Sequence, residues 1–252
     1  MTAPPPRPLK RLGQHFLIDP NIVRKIVALA ALRPEETVLE IGPGRGVLTR
    51  ALCAAAKTVI AVELDQQLVA YLQETLGDCR NLDLRAGDAL KFSYDALPDG
   101  TVVVANLPYN VSTPVLFRVL AARERIDRMV LMLQTEVARR LVAQPATADY
   151  GILSVLTQQA AEVSLAFQVS SSCFRPRPEV GSAVVSLVMR PYSYGGVADE
   201  AQFVRIVRAA FAHRRKTLSN SLRDEGLSPD RVALTLTQAG IEPGRRAETL
   251  TL

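Results

Sequence analysis

An apolar, strand-like run at 101–105 leads directly into Asn106-Leu107-Pro108-Tyr109. A turn would account for the Asn and the Pro, since both are common turn formers. The other interpretation is chemical. The amide oxygen of Asn106 and the carbonyl of Leu107 could accept both N–H bonds of an exocyclic adenine amine, and the ring of Tyr109 could stack on the base. Such a site would suit methyl transfer from a sulfonium to that amine, with most of the rate coming from positioning.

A second group of candidate residues surrounds a glycine-rich turn. The sequence VLEIGPGRG at 38–46 has the spacing G-x-G-x-G, with Gly42 and Gly44, in place of the dinucleotide pattern G-x-G-x-x-G. Glu63 lies 21 residues beyond Gly42, where an acid can accept hydrogen bonds from ribose hydroxyls. Asp88 follows the next strand-like run and could meet an adenine amine. Each acid alone could be a solvated loop residue or a helix N-cap, but together they favour a site for one nucleoside.

The elements around these residues must bring them together. Short apolar runs alternate with helical segments, which is typical of βαβ units and a mostly parallel sheet covered by helices. The predicted strands are 37–41, 58–63, 82–86, 101–105 and 128–133, and the predicted helices are near 19–32, 46–56, 66–76, 113–122 and 135–143. Because ligands of open α/β sheets bind at the carboxyl ends of the strands, we expect Gly42, Glu63, Asp88 and Asn106 at one sheet edge.

The pattern changes after a predicted helix at 151–161. Two strand-like runs, at 162–169 and 182–189, flank the Pro-rich stretch 170–181 with no helix between them, which predicts an antiparallel pair at the edge of the sheet. Further on, only helical patterns remain, at about 200–212, 214–224 and 228–239. The predicted domains are a flexible basic arm at 1–12, a Rossmann-like α/β domain at 13–192 and a small all-helical domain at 193–252.

Composition and charge narrow the class of protein. The 252 residues are 48% hydrophobic and 22% charged, which suits one or two globular domains. Residues 1–25 carry a net charge of +4 and residues 203–252 carry +4, while the middle carries −3. Basic ends favour a polyanionic partner, although a solvated surface would also explain them. The scattered cysteines and histidines predict free thiols and no metal site, and the lack of an apolar leader or membrane-length run predicts a cytoplasmic protein.

Seven motifs of the chain resemble the S-adenosylmethionine-dependent rRNA adenine N6-dimethyltransferases. They are LGQHFL (12–17), EIGPGRGVLT (40–49), VELD (62–65), GDAL (87–90), NLPYNVSTPVL (106–116), FRPRPEVGSAVVSL (174–187) and FAHRRKTLSNSL (211–222). The resemblance points to the bacterial small-subunit branch, whose members dimethylate two adjacent adenosines near the 3′ end of 16S rRNA in a pre-30S particle. It implies S-adenosylmethionine as the methyl donor, 16S rRNA in the 30S subunit as the partner, and a monomer.

The resemblance also implies roles for single residues. The donor site would be lined by His15, Leu17, Gly42, Gly44, Glu63, Asp88 and Asn106, and the target base would be held by Asn106, Leu107, Pro108, Tyr109 and Phe174. Phe174 would form the second wall against an extruded base, although core packing is the ordinary role of such a residue. Arg214, Arg215 and Lys216 would contact RNA phosphates from a helix, although consecutive cations are also typical of a solvated helix face. No metal is implied.

Two departures from the family pattern affect these expectations. Position 15 is His where many relatives carry Asn, so the contact of this side chain with the donor is open. The chain stops at RAETLTL (246–252), where relatives usually continue into a final helix, so the sequence leaves the last helical packing open.

Two other functions stay open on the sequence alone. A related 23S rRNA adenine N6-methyltransferase would share the donor motifs and an Asn-x-Pro-Tyr site. A non-catalytic ribosome-assembly factor could keep the fold and bind the immature 30S subunit, but the intact Asn106, Tyr109 and Glu63 argue against a loss of catalysis. A nicotinamide dehydrogenase fits poorly, because neither the G-x-G-x-x-G spacing nor a second dinucleotide-binding half is visible.

Overall fold

The computed structural model of the protein describes residues 4–190, 194–213 and 215–252. The strands are β1 Phe16–Leu17, β2 Thr37–Ile41, β3 Thr58–Glu63, β4 Leu82–Ala86, β5 Thr101–Asn106, β6 Ile126–Gln134, β7 Ala161–Val169, β8 Phe174–Arg175 and β9 Ser182–Met189. The α-helices are α1 Pro20–Ala30, α2 Val47–Cys53, α3 Gln66–Thr75, α4 Ser112–Ala121, α5 Thr135–Val142, α6 Ile152–Ala160, α7 Glu200–Phe211, α8 Leu218–Asp224 and α9 Pro229–Gln238. None of the helices within these ranges is long and apolar enough to cross a membrane.

A seven-stranded sheet has the order β4-β3-β2-β5-β6-β9-β7. β2 pairs in parallel with β3 and β5, β3 with β4, and β5 with β6, whereas β9 runs antiparallel to β6. The predicted α/β fold, with a mostly parallel sheet and an antiparallel strand at its end, is confirmed. Because β3 lies on one side of β2 and β5 on the other, the strand order reverses there, and such a switch point opens a crevice at the carboxyl ends of the strands.

Local sequence explains the elements that support this crevice. The central strands β2, β3 and β5 are buried on both faces, and their core residues include Val38, Leu39 and Val103. Helix α1 begins as predicted, because the Asp19 side chain accepts a hydrogen bond from the Asn21 amide at 2.8 Å and a proline occupies the first helical turn. The bounds of β2, β3 and β4 match the prediction, while β5 and β6 are longer.

The sequence patterns do not predict a short ribbon formed by β1 and β8. The two strands pair antiparallel, with Phe16 opposite Arg175 and Leu17 opposite Phe174. A two-residue strand is too short to show the alternation that identifies strands in a sequence. The ribbon ties the segment before α1 to the Pro-rich stretch 170–181.

The chain divides into two compact units. The first comprises residues 1–138 and 163–189, and the second comprises residues 139–162 and 190–252. The core of the second unit is formed by Ala209, Leu218, Leu222, Val232, Leu236 and Ala247. The predicted boundary between 192 and 193 lies outside the described residues, and the predicted domain at 193–252 stays a prediction.

The predicted helix at 214–224 is wrong at its start. Helix α8 begins at Leu218, since the Thr217 hydroxyl accepts from the Asn220 amide at 3.4 Å as an N-cap. Arg215 and Lys216 therefore lie in the turn before the helix and not on its face.

Candidate active site

A cavity lies at the carboxyl ends of β2, β3, β4 and β5. The sequence-predicted residues that line it are His15, Leu17, Gly42, Gly44, Glu63, Asp88, Asn106, Leu107, Pro108 and Tyr109. Strand pairing explains this convergence, because parallel neighbours end at the same edge of the sheet. Phe174, Arg215 and Lys216 do not line the cavity, and Arg214 lies outside the described residues.

The glycine-rich turn after β2 passes close to an aromatic ring. Gly44 has a φ of +58°, and a Cβ atom there would lie 2.9 Å from Cδ1 of Phe16. Glycine is required for both reasons, since other residues rarely adopt this conformation and a side chain would collide with the ring. The guanidinium of Arg45 lies over the same ring, 4.5 Å from its centroid, and donates to the Pro6 carbonyl at 3.0 Å. The turn is thus packed against the segment that precedes α1.

Glu63, the last residue of β3, is held by backbone amides. Its Oε2 accepts from the Gly44 amide at 3.1 Å and its Oε1 from the Asp65 amide at 3.0 Å, and the residue is only 5% exposed. Burial raises the pKa of the Glu63 carboxyl, while the two backbone hydrogen bonds oppose that rise. A carboxylate has about four lone-pair positions, so two remain for hydroxyl groups of a ligand.

Sequence reasoning did not find Glu40, a second buried carboxyl on the cavity. Glu40 lies in β2, is 1% exposed, and its Oε2 has no hydrogen-bond partner among the described residues. Burial raises the pKa of Glu40 to about 8; the nearby Thr49 hydroxyl opposes this, and the charge of Glu63 adds to it. The available signal was a lone acid inside an otherwise apolar strand that is covered on both faces.

Two further polar residues complete the β3–β4 side of the cavity. Asp88 lines it after β4, and its Oδ1 accepts from the Leu90 amide at 2.9 Å, which fixes the carboxylate in a turn. Gln14 also lines the cavity, and its amide nitrogen donates to Oδ2 of Asp65 at 3.0 Å. Sequence reasoning did not single out Gln14, because a single glutamine in a loop carries no spacing pattern.

The end of β5 presents two oxygen atoms without partners. The Asn106 amide nitrogen donates to the His15 carbonyl at 3.2 Å, and the Leu107 amide donates to the Met132 carbonyl at 3.2 Å. Within the described part of the chain, the Asn106 amide oxygen and the Leu107 carbonyl oxygen accept no hydrogen bond. The strand end therefore offers two neutral acceptors at residues that line the cavity, which is the number that an amine with two N–H bonds requires.

Tyr109 is fixed at both its ring and its hydroxyl. The hydroxyl shares a 2.6 Å hydrogen bond with Oγ of Ser182, and burial raises the pKa of the phenol. The ring stacks on the His15 ring at 5.5 Å between centroids and 29° between planes. His15 Nδ1 is in turn 2.9 Å from the Pro176 carbonyl oxygen. The histidine thus braces Tyr109 against the loop that follows β8.

Three of the predicted site residues, Phe174, Arg215 and Lys216, are not part of the cavity lining. Phe174 is 2% exposed and packs in the core with Leu17 and Val184, so its role as a wall for a base stays a prediction that would require the ring to become accessible. Arg215 and Lys216 are both exposed, and Lys216 forms an ion pair with Asp224.

The cavity fits a nucleoside that carries positive charge. Two buried carboxyl groups, Glu40 and Glu63, face a lining that is otherwise rich in glycine and apolar side chains. A buried carboxylate favours a cationic ligand, because pairing offsets part of the cost of burying each charge. Among the described residues no group of three or more His, Cys, Asp or Glu is arranged to hold a metal ion.

Curated relatives are similar to this chain over almost its full length. A relative from Moorella thermoacetica is 47% identical over 254 residues, covering 96% of this chain and 88% of the relative. One from Thiobacillus denitrificans is 48% identical over 243 residues, covering 96% and 93%. Both are named Ribosomal RNA small subunit methyltransferase A.

Solved structures of two RNA-modifying enzymes have the same fold. A dimethyladenosine transferase from Plasmodium falciparum matches with a TM-score of 0.81 and 27% identity, covering 94% of this chain and 93% of that one. The 23S rRNA methyltransferase ErmE matches with a TM-score of 0.71 and 29% identity, covering 94% of each chain. The sequence profile described as Ribosomal RNA adenine dimethylase matches residues 8–251. The chain therefore belongs to the ribosomal RNA adenine dimethylase family.

Proposed function

We propose that the protein methylates the N6 amines of two adjacent adenosines near the 3′ end of 16S rRNA in the immature 30S subunit, giving N6-dimethyladenosines. The observation that carries this proposal is the end of β5, where the free oxygens of Asn106 and Leu107 lie beside Tyr109 on the cavity. The names of the curated relatives support a small-subunit substrate.

The same cavity is the proposed site for the methyl donor. S-adenosylmethionine supplies a methyl group on a positively charged sulfur, which is open to attack by a nitrogen lone pair. Glu63 would accept the ribose hydroxyls, Asp88 would accept from the adenine amine, and Gly42 and Gly44 would let the ligand approach the backbone closely. His15 and Leu17 would close the site from the segment before α1.

The residues at the end of β5 would act on the nucleophile. An adenine amine is a poor nucleophile because its lone pair is delocalised into the ring. Acceptors at Asn106 and Leu107 would bind both N–H bonds and shift the lone pair towards the donor, while Pro108 fixes the turn and Tyr109 stacks on the base. Neutral acceptors suffice, since the methylated nitrogen is acidic and loses its proton readily. Positioning of the reactants would supply most of the rate.

The remaining parts of the chain would bind the substrate. In this proposal the helical domain at 193–252 contacts RNA, with Arg214, Arg215 and Lys216 near phosphates. Arg215 is the freer of the two described cations, because Lys216 already pairs with Asp224. We further propose that the protein acts as a monomer in the cytoplasm, where ribosomal subunits are assembled.

Methylation of 23S rRNA is a second candidate, favoured by the similarity to ErmE over 94% of this chain. One experiment separates the two. Purified protein and labelled S-adenosylmethionine are incubated with unmethylated 30S particles, with naked 23S RNA, with 50S particles and with DNA. We expect label in the 30S particles alone. Label in naked 23S RNA or 50S particles only would favour methylation of 23S rRNA instead. Binding to 30S particles without any methyl transfer would favour an assembly factor.

A further inference from the structure

Two chain segments flank Tyr109 and Asn110 at the edge of the cavity. The Asn110 amide nitrogen is 3.5 Å from the Arg11 carbonyl oxygen, so the segment before β1 lies against Asn110. The loop after β8 reaches the same place, because the Pro176 carbonyl contacts the His15 ring that stacks on Tyr109. Residues next to these contacts therefore border the proposed position of the target base.

These segments carry three exposed arginines, which we call the edge arginines: Arg11, Arg175 and Arg177. None has a carboxylate within ion-pair distance among the residues that the structure describes. Many exposed arginines elsewhere are paired, for example Arg50 with Asp78 at 2.7 Å. The charge that these two segments carry is thus left available for an anion.

The guanidinium groups at this edge are also partly oriented. Arg177 donates through Nε to Oγ of Ser171 at 2.8 Å, which leaves its terminal nitrogens free. Arg175 lies in β8, where pairing with Phe16 fixes its backbone. Glu179, an exposed acid two residues beyond Arg177, forms no ion pair with either arginine in the described structure. A pre-oriented guanidinium binds phosphate through two parallel hydrogen bonds.

We propose that the edge arginines bind the phosphates on either side of the target adenosine. The inference rests on the proposed function and names the part of the RNA that this edge holds. A base can enter the cavity only if its nucleotide leaves the stack, and the strained backbone on both sides then needs to be held. Contacts to phosphate fix the register of the RNA without reading its sequence, so the edge arginines would position the adenosine over Tyr109 and Asn106.

The test compares two charge-matched double variants. Arg175→Gln/Arg177→Gln removes two cations from the cavity edge. Lys57→Gln/Arg80→Gln removes two exposed cations that precede β3 and β4, at the opposite edge of the sheet. The dissociation constant for the particle that accepts methyl groups from wild-type protein is measured over a series of salt concentrations, and that for S-adenosylmethionine is measured alongside. Arg11→Gln tests the third arginine separately.

We expect the edge variant to bind the particle about 10-fold more weakly, and the slope of log affinity against log salt to fall by about 0.7 for each lost phosphate contact. The KM for the particle should rise by a similar factor, while donor affinity stays unchanged and lysine at the same positions restores part of the loss. If the slope of log affinity against log salt is the same for the edge variant, the wild type and the Lys57/Arg80 control, this inference is wrong, while the proposed function stands. A wild-type protein that methylates no particle contradicts the proposed function, and this inference with it.

Discussion

Glu40 and Glu63 are buried carboxyl groups on one cavity, and they differ in their hydrogen bonds. Glu63 accepts from the amides of Gly44 and Asp65, whereas Oε2 of Glu40 has no partner in the described part of the chain. Hydrogen bonds to the charged form lower the pKa of a carboxyl, and burial without them raises it. In the proposed function Glu63 accepts hydrogen bonds from the ligand, whereas burial favours the neutral form of Glu40.

Glu63→Gln should weaken donor binding. Glutamine keeps one acceptor oxygen but loses the charge and one of the two backbone hydrogen bonds, and hydrogen bonds to charged groups contribute roughly 1.5–3 kcal/mol. We expect the dissociation constant for S-adenosylmethionine to rise about 10- to 100-fold by titration calorimetry. Glu124→Gln, an exposed acid just before β6, is the matched control. Equal donor affinity in the two variants would exclude the role proposed for Glu63.

Glu40 should make the protein less stable as the pH rises. In the folded state its pKa is about 8, against 4.5 for an ordinary glutamate, so between these values the folded state keeps a proton that the unfolded state has lost. The free energy of unfolding then falls by up to about 1.4 kcal/mol per pH unit. Urea unfolding from pH 5 to 8 should show a flatter dependence for Glu40→Gln than for wild type. If the free energy of unfolding depends on pH in the same way in wild type and Glu40→Gln, the Glu40 carboxyl is not held neutral by burial.

At the scale of secondary structure, the glycine turn after β2 can be tested with a matched glycine elsewhere. Gly44 and Gly100 both have positive φ, +58° and +75°, but only at Gly44 does an added Cβ meet another group, 2.9 Å from Phe16. Both alanine variants should lose about 1–2 kcal/mol from the backbone conformation. Gly44→Ala should in addition shift the turn and weaken donor binding, measured by thermal unfolding and calorimetry. Equal donor affinity in both variants would show that the turn tolerates a side chain.

The start of β2 is tied to α1 and β6 by a largely buried ion pair. Arg128 donates to both carboxylate oxygens of Glu36, at 2.9 and 2.8 Å, and also to the carbonyls of Ala30 and Ala31 at the end of α1. The Arg128 hydrogen bonds lower the pKa of Glu36 to about 2. This stabilisation is complete above pH 4.5 and is lost as the pH falls towards 2.

Glu36→Gln should remove the buried counter-charge of Arg128, leaving only its ion pair with the exposed Asp127, and cost about 3 kcal/mol at neutral pH. Glu35→Gln is the control, because that side chain is 69% exposed, against 5% for Glu36, and should change stability by less than about 0.5 kcal/mol. Urea unfolding at pH 7 measures both. If Glu36→Gln lowers the free energy of unfolding no more than Glu35→Gln does, the ion pair between Glu36 and Arg128 contributes little to stability.

Much of this element-scale architecture follows from the sequence. Strands β2 to β6 are recognisable because apolar runs buried on both faces alternate with helical periods, and Gly42, Glu63 and Asp88 fall at successive strand ends. The β1–β8 ribbon is not predictable, since two residues show no alternation. Glu40 and Gln14 were missed for a related reason: their roles depend on burial and on partners distant in sequence, which spacing does not reveal.

At the scale of the whole molecule, charge is divided along the chain. The first 25 residues and residues 203–252 each carry +4, and the residues between carry −3. Basic segments attract RNA phosphates without reading sequence, while the cavity at the strand ends carries the buried acids that favour a cationic donor. One fold thus combines basic segments that suit a polyanion with a cavity that suits a positively charged small molecule.

The central claim is that the end of β5 presents an adenine amine for methylation. The most direct test incubates unmethylated 30S particles with S-adenosylmethionine and wild-type, Asn106→Ala or Asn106→Asp protein. The 16S rRNA is then cut into oligonucleotides, and tandem mass spectrometry locates the modified adenosines in them. We predict two adjacent dimethyladenosines with wild type, a rate about 100-fold or more lower with Asn106→Ala, and a smaller loss with Asn106→Asp, which keeps an acceptor oxygen. Dimethyladenosine formed by Asn106→Ala at the wild-type rate, or none formed by wild type, would contradict the claim.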